Sequence, residues 1–233
     1  MATRVDPATP DEQLPSTTDV VIIGGGIIGV AAALTLAERG LPVVLCEKGQ
    51  IGAEQSSRNW GWCRQQGRDP RELPLIIESL RLWREMHQRT GCDVGFRQCG
   101  ILYLSATAKG IADREAWLEH GRAHGVECHM LSSKEIAELL PGSNQEWPGG
   151  LYTPTDGRAE PAIAAPEMAR AAQRRGAKVF TQTAVRGIET TAGAVSAVVT
   201  EHGTIRCSTV ILAGGAWSGV FCRNLGIRLP LLS

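Results

Sequence analysis

The hydrophobic pattern opens with a short unbroken apolar run and then changes to helical spacing. Residues 19–23 (DVVII) are β-branched after the first position and are followed by glycines, which predicts a strand buried on both faces. Over residues 27–39, the positions Ile27, Ile28, Ala31, Leu34 and Leu36 predict a helix that stops at Gly40, a residue suited to a helix terminus. Residues 43–46 (VVLC) predict a second buried strand, so the three pieces form a βαβ unit whose crossover should be right-handed. Residues 50–70 lack a period and are dense in Gly, Ser, Arg and Trp; they are expected to be a functional loop. Helical spacing returns over residues 72–90, where Leu73, Ile76, Ile77, Leu80, Trp83 and Met86 read as a core-facing stripe ended by Gly91.

From about residue 93 the texture changes. A strand over 96–105, a helix over 111–124, a strand over 126–131 and a short helix are expected, the last opening with Ser132 and Glu135 at capping-box spacing. This block reads as an inserted α+β subdomain. After Gly149 and Gly150 the first domain resumes, with an Ala-rich helix over 162–175 and a strand over 178–183. Three extended runs follow, 183–190, 194–201 and 204–213, with turn signals at Ala192-Gly193 and His202-Gly203; they predict an antiparallel meander whose last strand ends in VILAGG. Residues 1–18, rich in Pro, Thr and Asp, predict a loosely held, flexible tail.

Composition narrows the possibilities. Lys plus Arg and Asp plus Glu number 24 each, so no net field recruits nucleic acid, and none is expected as a partner. Seven scattered cysteines with no CxxC argue against a disulfide framework or a Cys-rich zinc site. The N-terminus has no apolar core of a secretory signal, and no later run is long enough for a transmembrane segment, so the expected setting is cytoplasmic. His120, His124, Cys128 and His129 approach metal-ligand spacing, but Gly125 interrupts it and Glu119, Arg122 and Glu127 suggest a solvated surface; no metal site is expected.

The strongest chemical signal is the turn after the first strand. Gly24-Gly25-Gly26-Ile27-Ile28-Gly29 is GxGxxG between a strand and a helix. Gly24 permits the tight turn, Gly26 leaves room for a pyrophosphate, and Gly29 lets the helix close on the strand, while the helix N-terminus presents N–H groups to the phosphates. Glu47 stands at the end of the second strand, 18 residues beyond Gly29. Its carboxylate suits the hydroxyls of an adenosine ribose and would repel a 2′-phosphate, which favours FAD or NAD over NADP.

Residues 19–48 resemble the opening of flavoproteins of the D-amino-acid oxidase, sarcosine oxidase and glycine oxidase group: Ala33, Leu34, Leu36, Gly40, Val43 and Glu47 fall in that extended pattern. Ser56-Ser57-Arg58-Asn59-Trp60-Gly61 resembles the segment that runs past the pyrophosphate towards the flavin ring. Residues 156–161 (DGRAEP) resemble the return into the FAD domain, residues 183–185 (TAV) the strand whose valine backbone meets the adenine, and residues 209–217 (TVILAGGAW) the later glycine motif beneath the cofactor. The ordered likeness covers nearly all of residues 19–230. It implies an α/β fold: a Rossmann-like FAD-binding domain of the glutathione-reductase type, with an antiparallel β-meander and an inserted, incomplete α+β substrate domain. The implied division is a tail at 1–18, an FAD-binding domain at 19–91 and 150–222, and a partial substrate domain at 92–149 and 223–233.

The same resemblance implies FAD as cofactor, with Gly24, Gly26, Ile27, Ile28, Gly29, Glu47, Lys48, Ser56, Ser57, Arg58, Asn59, Val185, Ala213 and Gly214 contacting it. The implied reaction is oxidation of the C–N bond of an amino acid or small secondary amine by hydride transfer to flavin N5. Trp62 and Arg64 are candidates to face the substrate; the plainer reading makes Arg58 and Arg64 structural partners of anions and the tryptophans core. The chain stops where the resembling enzymes re-enter their substrate domain, so it is expected to be either a fragment or a naturally shortened relative, with a missing C-terminal portion or a partner subunit as the candidates to complete the site. A nicotinamide dehydrogenase and a non-catalytic interaction module are the alternatives.

Overall fold

The computed structural model describes residue 5 and residues 7–230; expectations that fall on residues 1–4, 6 and 231–233 lie outside the described residues. In chain order the elements are β1 (Val20–Ile23), α1 (Ile27–Glu38), β2 (Val43–Cys46), β3 (Trp62–Cys63), α2 (Leu73–Thr90), β4 (Ile101–Ser105), α3 (Ala108–Ala123), β5 (His129–Ser132) and α4 (Ser133–Leu139). There follow β6 (Gly149–Thr153), β7 (Gly157–Arg158), α5 (Pro161–Arg174), β8 (Lys178–Phe180), β9 (Val185–Thr191), β10 (Ala194–Thr200), β11 (Gly203–Arg206), β12 (Thr209–Leu212) and α6 (Ser218–Asn224).

The chain divides into two compact units. The first holds residues 1–60, 89–94 and 160–233, and the second holds residues 61–88 and 95–159. This differs from the division expected from sequence in two places. Residues 61–88 group with the second unit, and the described residues after 222 stay with the first. Neither boundary carries a change of composition, because both fall inside continuous loop or helix sequence.

In the first unit a parallel sheet runs in the order β12-β1-β2-β8, as a Rossmann-like FAD-binding domain requires. Its strands β1 and β2 are buried at every position, which is why they are purely apolar. Helix α1 packs on α5, and both helices bury small residues, Ala33 and Ala37 in α1 and Ala165, Ala169 and Ala172 in α5; short side chains let helices approach closely. The three-stranded sheet β11-β10-β9 is antiparallel, and Val198 and Ile205 from it join Val21, Ile23, Val44, Cys46 and Phe180 in one buried cluster.

Two expectations are corrected here. The run at 204–213 is not one strand of the meander: it breaks after Arg206, and β12 joins the parallel sheet beside β1. The break is made by backbone pairing, with Cys207 N donating to Ser196 O at 3.1 Å and Thr209 N to Asp19 O at 3.2 Å, so apolar texture alone does not reveal it. Nor are the described residues before β1 loose. Ala8 is buried, Asp11 N donates to Val179 O at 2.8 Å, and the Asp11 carboxylate accepts from Val179 N at 2.8 Å and from Lys178 at 3.0 Å. Leu14 packs on the central cluster, and Thr18 N donates to Arg206 O at 2.9 Å.

The second unit is α+β. Its sheet β4-β6-β5 is antiparallel, and β3 pairs with β7. Leu73, Leu118, Val126, Cys128 and Leu151 form its core. The strand expected over 96–105 begins only at Ile101, because Gly100 has φ +73° and a Cβ there would lie 2.3 Å from the Tyr152 hydroxyl. The capping box is present: Ser132 N donates to Glu135 Oε2 at 2.7 Å, and the Ser132 side chain accepts from Glu135 N.

Candidate functional site

Within the first unit, the carboxyl ends of β1, β2 and β12 open onto a cleft of about 320 Å³. That is where open α/β sheets place their ligands. The turn after β1 builds its floor. Gly24 has φ +108°, a conformation that side chains rarely adopt, and a Cβ there would come within 2.5 Å of Ala213 O. At Gly29 a Cβ would lie 1.9 Å from Gly24 O, so only glycine lets α1 start this close to the strand. At Gly26 an added Cβ meets only Ser56 Oγ, at 3.3 Å, in the space between the glycine turn and the short 3₁₀ turn at Gln55–Ser57.

Glu47, buried at the end of β2, is held by two backbone donors: Gly25 N to Oε2 at 2.6 Å and Gly49 N to Oε1 at 2.7 Å. Each carboxylate oxygen keeps a lone pair beyond these bonds, so the group is oriented but still able to accept from a diol. Ser56 Oγ accepts from Ile27 N at 2.8 Å. One helix N–H assigned from sequence to a phosphate is therefore met by protein. The serine retains its own O–H to donate onward. Lys48 Nζ lies 3.1 Å from Glu54 Oε1 and 4.3 Å from the centroid of the Trp217 ring.

The structure brings Gly24, Gly26, Glu47, Lys48, Ser56, Val185, Ala213 and Gly214 together on this cleft. It does not bring Ile27, Ile28, Gly29, Ser57, Arg58 or Asn59 to its lining. Ile28 faces solvent at 70% exposure, Ser57 Oγ donates to Glu54 O at 3.2 Å, Arg58 pairs with Glu54 at 3.0 Å, and Asn59 Nδ2 donates to Gln55 O and Ser56 O. Ser57, Arg58 and Asn59 thus shape the loop that carries Ser56. Sequence reasoning did not assign site roles to Arg186, Trp217, Phe221 or Asn224, which also line the cleft. The signal for Trp217 was present, since it ends the glycine motif at 209–217.

Trp62 and Arg64 belong to the second unit. Trp62 is 44% exposed and Trp60, in the first unit, 79%, so neither tryptophan is core. The Arg64 guanidinium lies 5.8 Å from the Trp62 ring centroid and 5.6 Å from that of Tyr103, and its Nη1 donates to Gln66 O. In the same unit the fully buried Asp156 accepts from Gln65 N at 2.7 Å and from Gln66 N at 3.1 Å. Burial pushes its carboxyl above the usual range despite those donors. No group of three or more metal-ligating side chains occurs among the described residues.

The turn, the oriented acid and the room above Gly26 fit the ADP portion of FAD. Comparison with known proteins agrees. Mouse sarcosine dehydrogenase, mitochondrial, is 32% identical over 237 residues, covering 98% of this chain and 26% of that protein. Glycine oxidase from Geobacillus kaustophilus is 30% identical, with 91% of this chain and 58% of that protein covered. The solved structure of L-amino acid deaminase from Proteus myxofaciens in complex with anthranilate superposes with a TM-score of 0.95 at 36% identity, covering 98% of this chain and 53% of that one. The chain thus spans between 26% and 58% of the length of these relatives. The family model described as FAD dependent oxidoreductase matches residues 19–233, and the chain belongs to that family.

Proposed function

We propose that this chain supplies the dinucleotide-binding half of an FAD-dependent oxidoreductase acting on the C–N bond of an amino acid or small secondary amine. The observation that carries the reading is the convergence of four separate segments on one cleft: the glycine turn, Glu47-Lys48, residues 184–186 and residues 212–217. A nicotinamide domain would continue through successive βαβ units; here the cleft is completed by segments far apart in sequence. The relatives' names, sarcosine dehydrogenase, glycine oxidase and L-amino acid deaminase, support the amino-acid class.

The chemistry that FAD supplies when bound is acceptance, at N5, of the hydride from the carbon beside the amine nitrogen, leaving an imine for water to hydrolyse. The chain's own contribution is positional. Glu47 would hold the ribose hydroxyls, the Ser56 hydroxyl would donate to a phosphate oxygen, and Gly24 and Gly26 would allow the pyrophosphate to approach the backbone. Arg64, with Trp62 beside it, is the candidate to pair with a substrate carboxylate, for which a planar guanidinium fork is suited. Seven free thiols support a reducing, cytoplasmic setting. Among the described residues no helix is long and apolar enough to cross a membrane.

The test is a visible absorption spectrum of the chain mixed with FAD, before and after anaerobic addition of amino acids and N-methyl amines. The expected result is a protein-bound flavin spectrum that bleaches with one of them. A bound flavin that never bleaches would support the interaction-module alternative, and failure to retain FAD would overturn the flavin reading.

A further inference from the structure

Trp217 stands out among the residues lining the cleft. It is 43% exposed although it is the largest apolar side chain there, and it stands two residues after the glycines that follow β12. A cation holds it in place: Lys48 Nζ sits 4.3 Å from the ring centroid and is itself anchored 3.1 Å from Glu54 Oε1. Glu54 also binds Arg58, at 3.0 Å, so the lysine is one member of a small charge network. Trp217, Lys48 and Glu47 line the same cleft, so the indole shares it with the acid that would hold a ribose. An ammonium occupies one face of an indole by attraction to its π-electrons, which leaves the other face for a planar group.

We infer that Trp217, steadied by Lys48, is the platform on which the purine base of the bound nucleotide stacks. This rests on the proposed nucleotide reading of the cleft and extends it to a residue that receives the base. Stacking on an aromatic face is sequence-tolerant but requires a base, so its signature is a difference between nucleotides with and without one.

The experiment is calorimetric titration of the nucleotide-free chain with two probes, ADP and ribose 5-diphosphate, in wild type, W217F and W217L. ADP is expected to bind more tightly than ribose 5-diphosphate in wild type. W217L should weaken ADP about tenfold, the usual size of a lost aromatic–base stack, and leave ribose 5-diphosphate unchanged. W217F should retain ADP affinity within about threefold and lose the quenching of tryptophan emission that ADP causes in wild type. Equal weakening of both probes in W217L, or no weakening of either, would overturn the platform while leaving the nucleotide site standing. A wild-type chain that binds neither probe would sink the nucleotide reading and the platform together.

Discussion

At Gly29 a single missing methyl group decides whether the first turn of α1 can form. An alanine Cβ would sit 1.9 Å from the Gly24 carbonyl oxygen, and the obstacle is backbone that cannot rotate away. G29A is therefore expected to destabilise the chain by about 3 kcal/mol, measured as a lower midpoint in urea, the upper range for overpacking a rigid site. A second prediction concerns thiols. Burial pushes Cys46 and Cys63 up to about 12 from their ordinary 9.0. Both groups keep their protons in the folded state where the unfolded chain loses them. Their contribution to stability is thus complete below pH 9 and declines as pH rises towards 12. At pH 8 a thiol reagent should label the exposed Cys99 first, and labelling of Cys46 should follow only on unfolding, as mass spectrometry of the native and urea-treated chain can show.

Among the elements, the segment before β1 behaves as part of the sheet. Burial raises the Asp11 carboxyl, but the Val179 N–H, Lys178 and Gln173 outweigh it and hold the group below its ordinary 3.8. A depressed carboxylate stabilises the fold above its unfolded pKa, and that contribution is lost as pH falls below 3.8 through the folded value. D11N should cost about 1–2 kcal/mol at neutral pH, and the gap between variant and wild type should narrow on acidification in pH-dependent thermal melts. The glycine turn, α1 and the capping box at Ser132 were legible in sequence because each is a local device whose geometry is completed within a few residues. The split between β11 and β12 was not, since Thr209–Leu212 is as apolar as any meander strand and only the open edge of β1 claims it.

For the molecule as a whole, the cleft predicts linkage between ligand and stability. ADP at about a hundred times its dissociation constant should add about 2.7 kcal/mol, raising the melting temperature by several degrees. E47A should abolish most of that rise. It also leaves Gly25 N and Gly49 N, the two donors at 2.6 and 2.7 Å, without their carboxylate.

Apolar periodicity and backbone sterics act over short stretches, so the βαβ unit, the glycine turn and the acid at its proper distance were readable along the linear chain. Contacts between distant segments were needed to show that Val185, Ala213 and Trp217 share a cleft with Gly24 and Glu47, while Ser57, Arg58 and Asn59 bond within their own loop. They likewise show that the described residues before β1 are tied down by Val179 and Arg206, and that residues 61–88 belong with the second unit. The shared cleft and the anchored segment before β1 depend on hydrogen bonds and packing between residues more than a hundred positions apart, and a linear pattern of polar and apolar residues carries no record of which distant partner a backbone edge will find.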